Sequence, residues 1–136
     1  MEKYLQQSVK LSVVNKTDEQ ALGRLHYRLL ATLYERTNQL DKALKVYEDV
    51  ITKSRQAKDS SNLAEALMFS SGVLVKQKKF NEALQVSNEA LTIARKFAKL
   101  DMVRTALDFH SMNLYAAGKY KEAYEFKTEV AEIVLT

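Results

Sequence analysis

KKFNEALQVSNEAL, residues 78–91, sets the architecture. A basic pair and an aromatic are followed by apolar positions three and four apart, the spacing of one face of an α-helix. Two relatives of this stretch occur in the same chain, NQLDKALKVYEDVI from Asn38 and GKYKEAYEFKTEVA from Gly118. Their starts at 38, 78 and 118 define a period of 40 residues. At that offset Leu40, Phe80 and Tyr120 share one column and Ala43, Ala83 and Ala123 another. Val46, Val86 and Phe126 form a third, and Val50, Ala90 and Val130 a fourth. Between 61–96 and 101–136 ten positions are identical: 66/106, 67/107, 69/109, 71/111, 74/114, 79/119, 82/122, 83/123, 89/129 and 93/133. Ordinary residue usage gives about two such identities by chance. A fixed period in this range is the signature of a stacked repeat.

Each unit reads as two helices. In the second unit an apolar stripe runs through Leu63, Ala66, Leu67, Ser70, Ser71 and Leu74, then breaks at Lys76–Lys79. A second stripe follows through Phe80, Ala83, Leu84, Ala90, Leu91 and Ala94. Asp41 and Asn81 are expected to cap the second helices of their units, because their side-chain oxygens can accept orphan N–H groups. Gly118 suits the tight turn between helices; Asn38 and Lys78 stand in its column. Ala31, Ser71 and Ser111 on the first helix are expected to face the alanine column of the second, where only small side chains let two helices approach closely. The aromatic of the quoted stretch is expected to fill the junction between helices.

Composition agrees. The chain has 136 residues, no Pro, no Cys and three Gly, and it is 46% hydrophobic and 28% charged. So few turn formers argue against hairpin-built sheets, and its dominant residues are good helix formers. The expectation is an all-α fold, a right-handed α-solenoid of antiparallel helix pairs with about seven helices. Residues 1–20 would form the second helix of a partial repeat and a linker, 21–60 repeat one, 61–100 repeat two and 101–136 repeat three.

The columns resemble the tetratricopeptide repeat. The first unit supplies Tyr27, Leu30, Ala31, Tyr34, Leu40, Ala43 and Tyr47. The second supplies Leu67, Ser70, Ser71, Leu74, Phe80 and Ala83, and the third Leu107, His110, Ser111, Leu114, Gly118, Tyr120 and Ala123. The family period is about 34 residues. The longer interval here is similar to the branch found in kinesin light chains and in bacterial signalling regulators and sensor kinases. Ser87 and Lys127 replace the second-helix aromatic seen at Tyr47, and the added length is expected across Thr52–Lys58 and Thr92–Lys99. Glu2–Asn15 align with second-helix positions, and the closing helix carries Val130, Ile133, Val134 and Leu135 with no following unit to cover them. Solenoids normally end in polar caps, so an excerpt of a longer protein, or a second chain covering one end, is expected.

The resemblance implies a non-catalytic protein-interaction scaffold that binds a peptide or helical segment in a concave groove. The expected groove residues are Arg28, Thr32 and Glu35 of unit one, Met68, Val75 and Lys76 of unit two, and Asp108, Met112 and Tyr115 of unit three, with Leu25, Glu65 and Thr105 in adjoining columns. Met and Tyr are adaptable or anchoring contact residues. The alternative for these apolar groove residues is packing between adjacent units. Some family members grip a C-terminal carboxylate; the corresponding columns here hold Arg28, Thr32, Phe69, Thr105 and Phe109, of which only Arg28 suits that task.

A sensory, regulatory or dimerisation segment of a larger signalling protein is the first alternative, with homodimerisation through an uncovered terminal helix. A nucleic-acid-reading helical repeat is the second; a net charge of +4, with Lys and Arg interspersed among Asp and Glu, argues against nucleic acid as partner. His26 and His110 fall in core-facing columns without metal-ligand spacing, and no phosphate-binding glycine loop or nucleophile elbow is present. Neither catalysis nor a cofactor is expected. No run approaches a membrane span or a signal-peptide core, and the expected compartment is the cytoplasm.

Overall fold

The computed structural model describes residues 16–97 and 100–135. Six α-helices fill them: α1 (Lys16–Arg36), α2 (Leu40–Ala57), α3 (Ser60–Lys76), α4 (Phe80–Lys96), α5 (Leu100–Ala116) and α6 (Tyr120–Leu135). Each packs against the next in sequence, and α3 also touches α5 directly. The pairs α1/α2, α3/α4 and α5/α6 are the three repeats. A seventh helix at Glu2–Asn15 lies outside the described residues. No glycine or proline interrupts residues 16–22, and α1 is already helical at Lys16, ahead of the expected unit boundary at residue 21. Of the two expected extensions, α2 is helical through Ala57 and α4 through Lys96, while residues 98–99 lie outside the described residues.

The turn inside each repeat is the same device three times. Asn38, Lys78 and Gly118 all have left-handed backbone, with φ of 58°, 63° and 83°. Around each, two backbone bonds close the end of the first helix. Asn38 N–H donates to Glu35 O and Gln39 N–H to Tyr34 O; Lys78 N–H to Val75 O and Lys79 N–H to Leu74 O; Gly118 N–H to Tyr115 O and Lys119 N–H to Leu114 O. This is the Schellman arrangement, which satisfies carbonyls a helix end otherwise leaves open. Lys58, at φ 55°, ends α2 in the same way before the second repeat begins. Glycine adopts this conformation freely and asparagine tolerates it, whereas a Cβ-bearing lysine is strained there by about 1–2 kcal/mol.

The turn also explains a misplaced cap. The left-handed residue is followed by a single residue before the next helix, so α2 and α4 start at Leu40 and Phe80. Asp41 and Asn81 therefore lie inside the first turn. The capping positions are Gln39 and Lys79, and neither makes a side-chain cap. Asp41 instead accepts a hydrogen bond from Gln77 Nε2 at 2.8 Å, across to the next repeat. Asp59 does cap, accepting from the Asn62 N–H at the start of α3.

The small-residue columns are where two helices meet. Ala43, Ala83 and Ala123 are buried on the second helices, and Ala31, Ser71 and Ser111 on the first. Two apolar clusters sit on either side of α3. One joins Tyr27, Leu30, Ala31, Tyr34, Ala43 and Tyr47 of repeat one to Val73 of repeat two. The other joins Leu63, Leu67, Met68, Ala90, Leu91 and Ala94 of repeat two to Ala106 and Leu107 of repeat three. Sandwiched between them, α3 buries residues on most of its circumference, as a helix covered on several sides must. Val130 and Ile133, expected to be uncovered, pack against the second cluster from α6. The last helix turns those side chains back toward the preceding repeat.

Outer-face ion pairs repeat with the same period. Arg55 of α2 meets Glu89 of α4 at 2.6 Å, and Arg95 of α4 meets Glu129 of α6 at 2.8 Å. Such half-exposed pairs contribute about 0.2–1 kcal/mol each, so they register neighbouring repeats while apolar burial supplies the stability. Replacing Ala83 with Leu is expected to lower the unfolding free energy by about 1–3 kcal/mol, read from urea denaturation. Lys78→Gly is expected to raise it by about 1 kcal/mol. A neutral Ala83→Leu would mean that α3 and α4 are not in close contact at that column.

Candidate functional site

The first helices of the repeats, α1, α3 and α5, together line a cavity of about 760 Å³ bounded by Arg28, Glu65, Met68, Phe69, Leu100, Asp101, Met102 and Thr105. Its walls come from all three repeats. Arg28, on α1, places its guanidinium carbon 4.9 Å from the centre of the Phe69 ring on α3. The Arg28 Nε also lies 3.9 Å from Glu65 Oε1. Glu65 is held in turn by the Tyr27 hydroxyl, which donates to Oε1 at 2.9 Å and to Asn62 Oδ1 at 3.2 Å. Burial, followed by the nearby Glu65 charge, pushes the Tyr27 phenol well above its ordinary range, so it remains a donor and fixes Glu65.

Phe69 also contacts two rings that lie outside the cavity lining. Tyr47 stacks on Phe69 at 6.2 Å, and Phe69 meets Phe109 edge to face at 5.6 Å. The cavity floor is thus apolar, through Met68, Phe69 and Met102. Arg28 stands at one rim and Asp101, in the first turn of α5, at the other.

The expected groove residues do not form one surface. Arg28 and Met68 line this cavity, together with Glu65 and Thr105. Met68 is only 4% exposed and belongs to the core cluster, so it serves chiefly as packing between adjacent repeats. Glu35 and Lys76 pair with each other at 3.0 Å, which joins repeats one and two and partly neutralises both charges. Asp108 is engaged by Lys127 at 2.9 Å. Thr32 is exposed and Val75 half-buried. Met112 and Tyr115 line a different cleft, described below. Phe69, Leu100, Asp101 and Met102 were not in the expected set. Asp101 and Met102 sit at the start of α5, where the period predicts a repeat boundary and not a wall, and only the direct packing of α5 on α3 brings them to the cavity.

The two histidines differ. His110 is buried, with its Nδ1 2.7 Å from Ser87 Oγ and its ring edge-on to Phe126 at 4.9 Å. One repeat earlier the same two columns hold Tyr47 and Ser70. A large residue on α2 faces a small one on α3 there; a small one on α4 faces a large one on α5 here. Ser87, read in the sequence only as a lost aromatic, thus makes room for His110. The neighbouring Asn113 donates to Ser71 Oγ at 3.0 Å in the same buried interface. His26 is half-buried, and its Nδ1 has no hydrogen-bond partner. The buried Ser87–His110 pair is a polar contact between α4 and α5.

No family model matches this chain, and no curated protein does. Among the described residues no helix is long and apolar enough to cross a membrane.

Burial holds the His110 pKa below its ordinary 6.5, against an opposing pull from Glu122. The unfolded chain therefore binds this proton more readily than the folded one. Stability from neutral His110 is complete above 6.5 and is lost as pH falls from 6.5 through the lower folded value. Urea midpoints measured from about pH 8 to about pH 5 are expected to fall, and His110→Gln to flatten that decline. An equal decline in both proteins would place the acid sensitivity elsewhere.

Proposed function

We propose that this chain is a non-catalytic protein-interaction scaffold of the tetratricopeptide-repeat kind, and that the α1/α3/α5 cavity holds a peptide or short helical segment of a partner. The observation that carries this reading is the cavity itself. About 760 Å³ of open space is framed by three successive repeats on the face where the first helices meet, the place where a stack of helix pairs offers a continuous surface. Its apolar floor suits one stripe of an amphipathic segment. Arg28 and Asp101 at opposite rims suit an acidic and a basic side chain of the ligand, which sets its direction. Pre-positioning of Arg28 by Phe69 and Glu65 reduces the ordering cost of binding.

Peptides selected from a random displayed library against the 136-residue chain test this. Thr105 is exposed at the cavity wall, so Thr105→Trp fills the space without disturbing the core. It is expected to weaken selected peptides by about tenfold or more, a loss of at least about 1.4 kcal/mol. Asp101→Lys is expected to disfavour peptides with a basic residue at the corresponding end. Unchanged affinities in Thr105→Trp would remove the cavity as the binding site.

A further inference from the structure

The internal junctions of the stack show what one repeat requires of the next. On repeat one, the downstream cleft between α1 and α2 is formed by Ala31, Leu40, Ala43, Leu44 and Tyr47. It is closed by two residues of α3 one turn apart, Phe69 and Val73, in a single apolar cluster. Lys76, farther along α3, seals the rim by pairing with Glu35. On repeat two, α5 closes the same cleft through Phe109, His110 and Asn113, with His110 and Asn113 bonded to Ser87 and Ser71.

Repeat three has the same cleft, and it is open. Its volume is about 460 Å³, between α5 and α6, lined by Ser111, Met112, Tyr115, Tyr120, Ala123, Tyr124 and Lys127. Shifted back by two periods, these are Ala31, Thr32, Glu35, Leu40, Ala43, Leu44 and Tyr47, nearly the cleft that α3 fills in repeat one. Leu40 and Leu44 are half-buried there, whereas their counterparts Tyr120 and Tyr124 are 61% and 74% exposed. Tyr115 and Tyr120 stand edge to face at 5.0 Å, forming an exposed aromatic wall among the described residues. An exposed apolar surface at a junction column marks an interaction site.

The chain also carries the matching half. In the columns of Phe69 and Val73, α1 presents Leu29 and Leu33, and Leu29 is 46% exposed. In the column of Lys76 it presents Arg36, also exposed. We propose that the α5/α6 cleft of one copy receives α1 of a second copy, continuing the repeat stack head to tail. Leu29 and Leu33 then enter the cleft between Tyr120, Ala123 and Tyr124, and Arg36 lies over Tyr115 as Lys76 lies against Glu35. A cation over an aromatic ring replaces the ion pair. Such a contact joins two different surfaces, so it adds copies in series and does not close as a dimer. It is independent of the peptide-binding reading, because its cleft shares no lining residue with the α1/α3/α5 cavity.

Sedimentation equilibrium of the 136-residue chain over a wide concentration range tests the proposal. The average mass is expected to climb past that of a dimer without a plateau. Tyr124→Glu blocks the cleft and Leu29→Glu blocks the inserting helix; both positions are exposed, and circular dichroism verifies that both variants keep wild-type helicity and melting. Each variant alone is expected to stay monomeric. Mixed in equal amounts they are expected to form a dimer and stop, because one intact cleft meets one intact α1. Tyr120→Lys and Leu25→Glu serve as replacements if either variant unfolds. Thr105→Trp, in the separate cavity, is expected to assemble like the unaltered chain. A unaltered chain that stays monomeric throughout, a single variant that still dimerises, or a mixture that remains monomeric would each overturn the head-to-tail contact.

Discussion

Close approach of two helices at a column of small residues is the constraint on which the rest of this structure depends. Ala43, Ala83 and Ala123 are buried on the second helices, and Ala31, Ser71 and Ser111 on the first. Because those side chains are small, the larger residues on either side interdigitate with the next repeat. The Schellman turns at Asn38, Lys78 and Gly118 fix the angle at which the second helix returns. Once this geometry is repeated at a constant interval, each helix pair offers the next a cleft of the same shape, and stacking follows from shape.

Within that frame the contacts at each junction differ. At the first junction Phe69 and Val73 of α3 insert against Tyr47 and its neighbours, with the Tyr27–Glu65 and Lys76–Glu35 contacts beside them. The second is partly polar, with His110 and Asn113 of α5 bonded to Ser87 and Ser71. Where repeat one carries Tyr47 and Ser70, the next pair of columns carries Ser87 and His110, which are joined by a hydrogen bond. A buried polar contact adds less net stability than an apolar one of equal volume, but an unmatched partner costs about 1–3 kcal/mol. The outer face has a simpler rule, an Arg–Glu pair at each step.

The first-helix face and the end of the stack have different chemistry. The α1/α3/α5 cavity combines an apolar floor with opposite charges at its rims, which suits a directional ligand. The α5/α6 cleft is almost wholly apolar apart from Lys127, and that amine is turned toward Asp108. A surface of that composition fits a helix with a hydrophobic stripe better than an extended polar segment.

The repeat interval, the helix pairs, the alanine column and the turn positions were legible in the sequence, because they depend on local backbone preference and on residues spaced three and four apart. The helical extension of α2 and α4 was legible for the same reason. The candidate site was legible only in part. Arg28, Met68, Glu65 and Thr105 line one cavity, yet Met68 is core, and Glu35, Lys76 and Asp108 are engaged by other side chains. Their exposure depends on the neighbouring repeat, which periodicity does not describe. Phe69 as the shelf beneath Arg28, the exchange of size between Tyr47 and Ser87, and the open aromatic cleft of Tyr120 and Tyr124 were decided by tertiary structure alone. The sequence by itself determined what each helix is and where it turns, since those are properties of neighbours along the chain. Which faces are covered and which remain open was decided by packing, since burial is a property of neighbours in space.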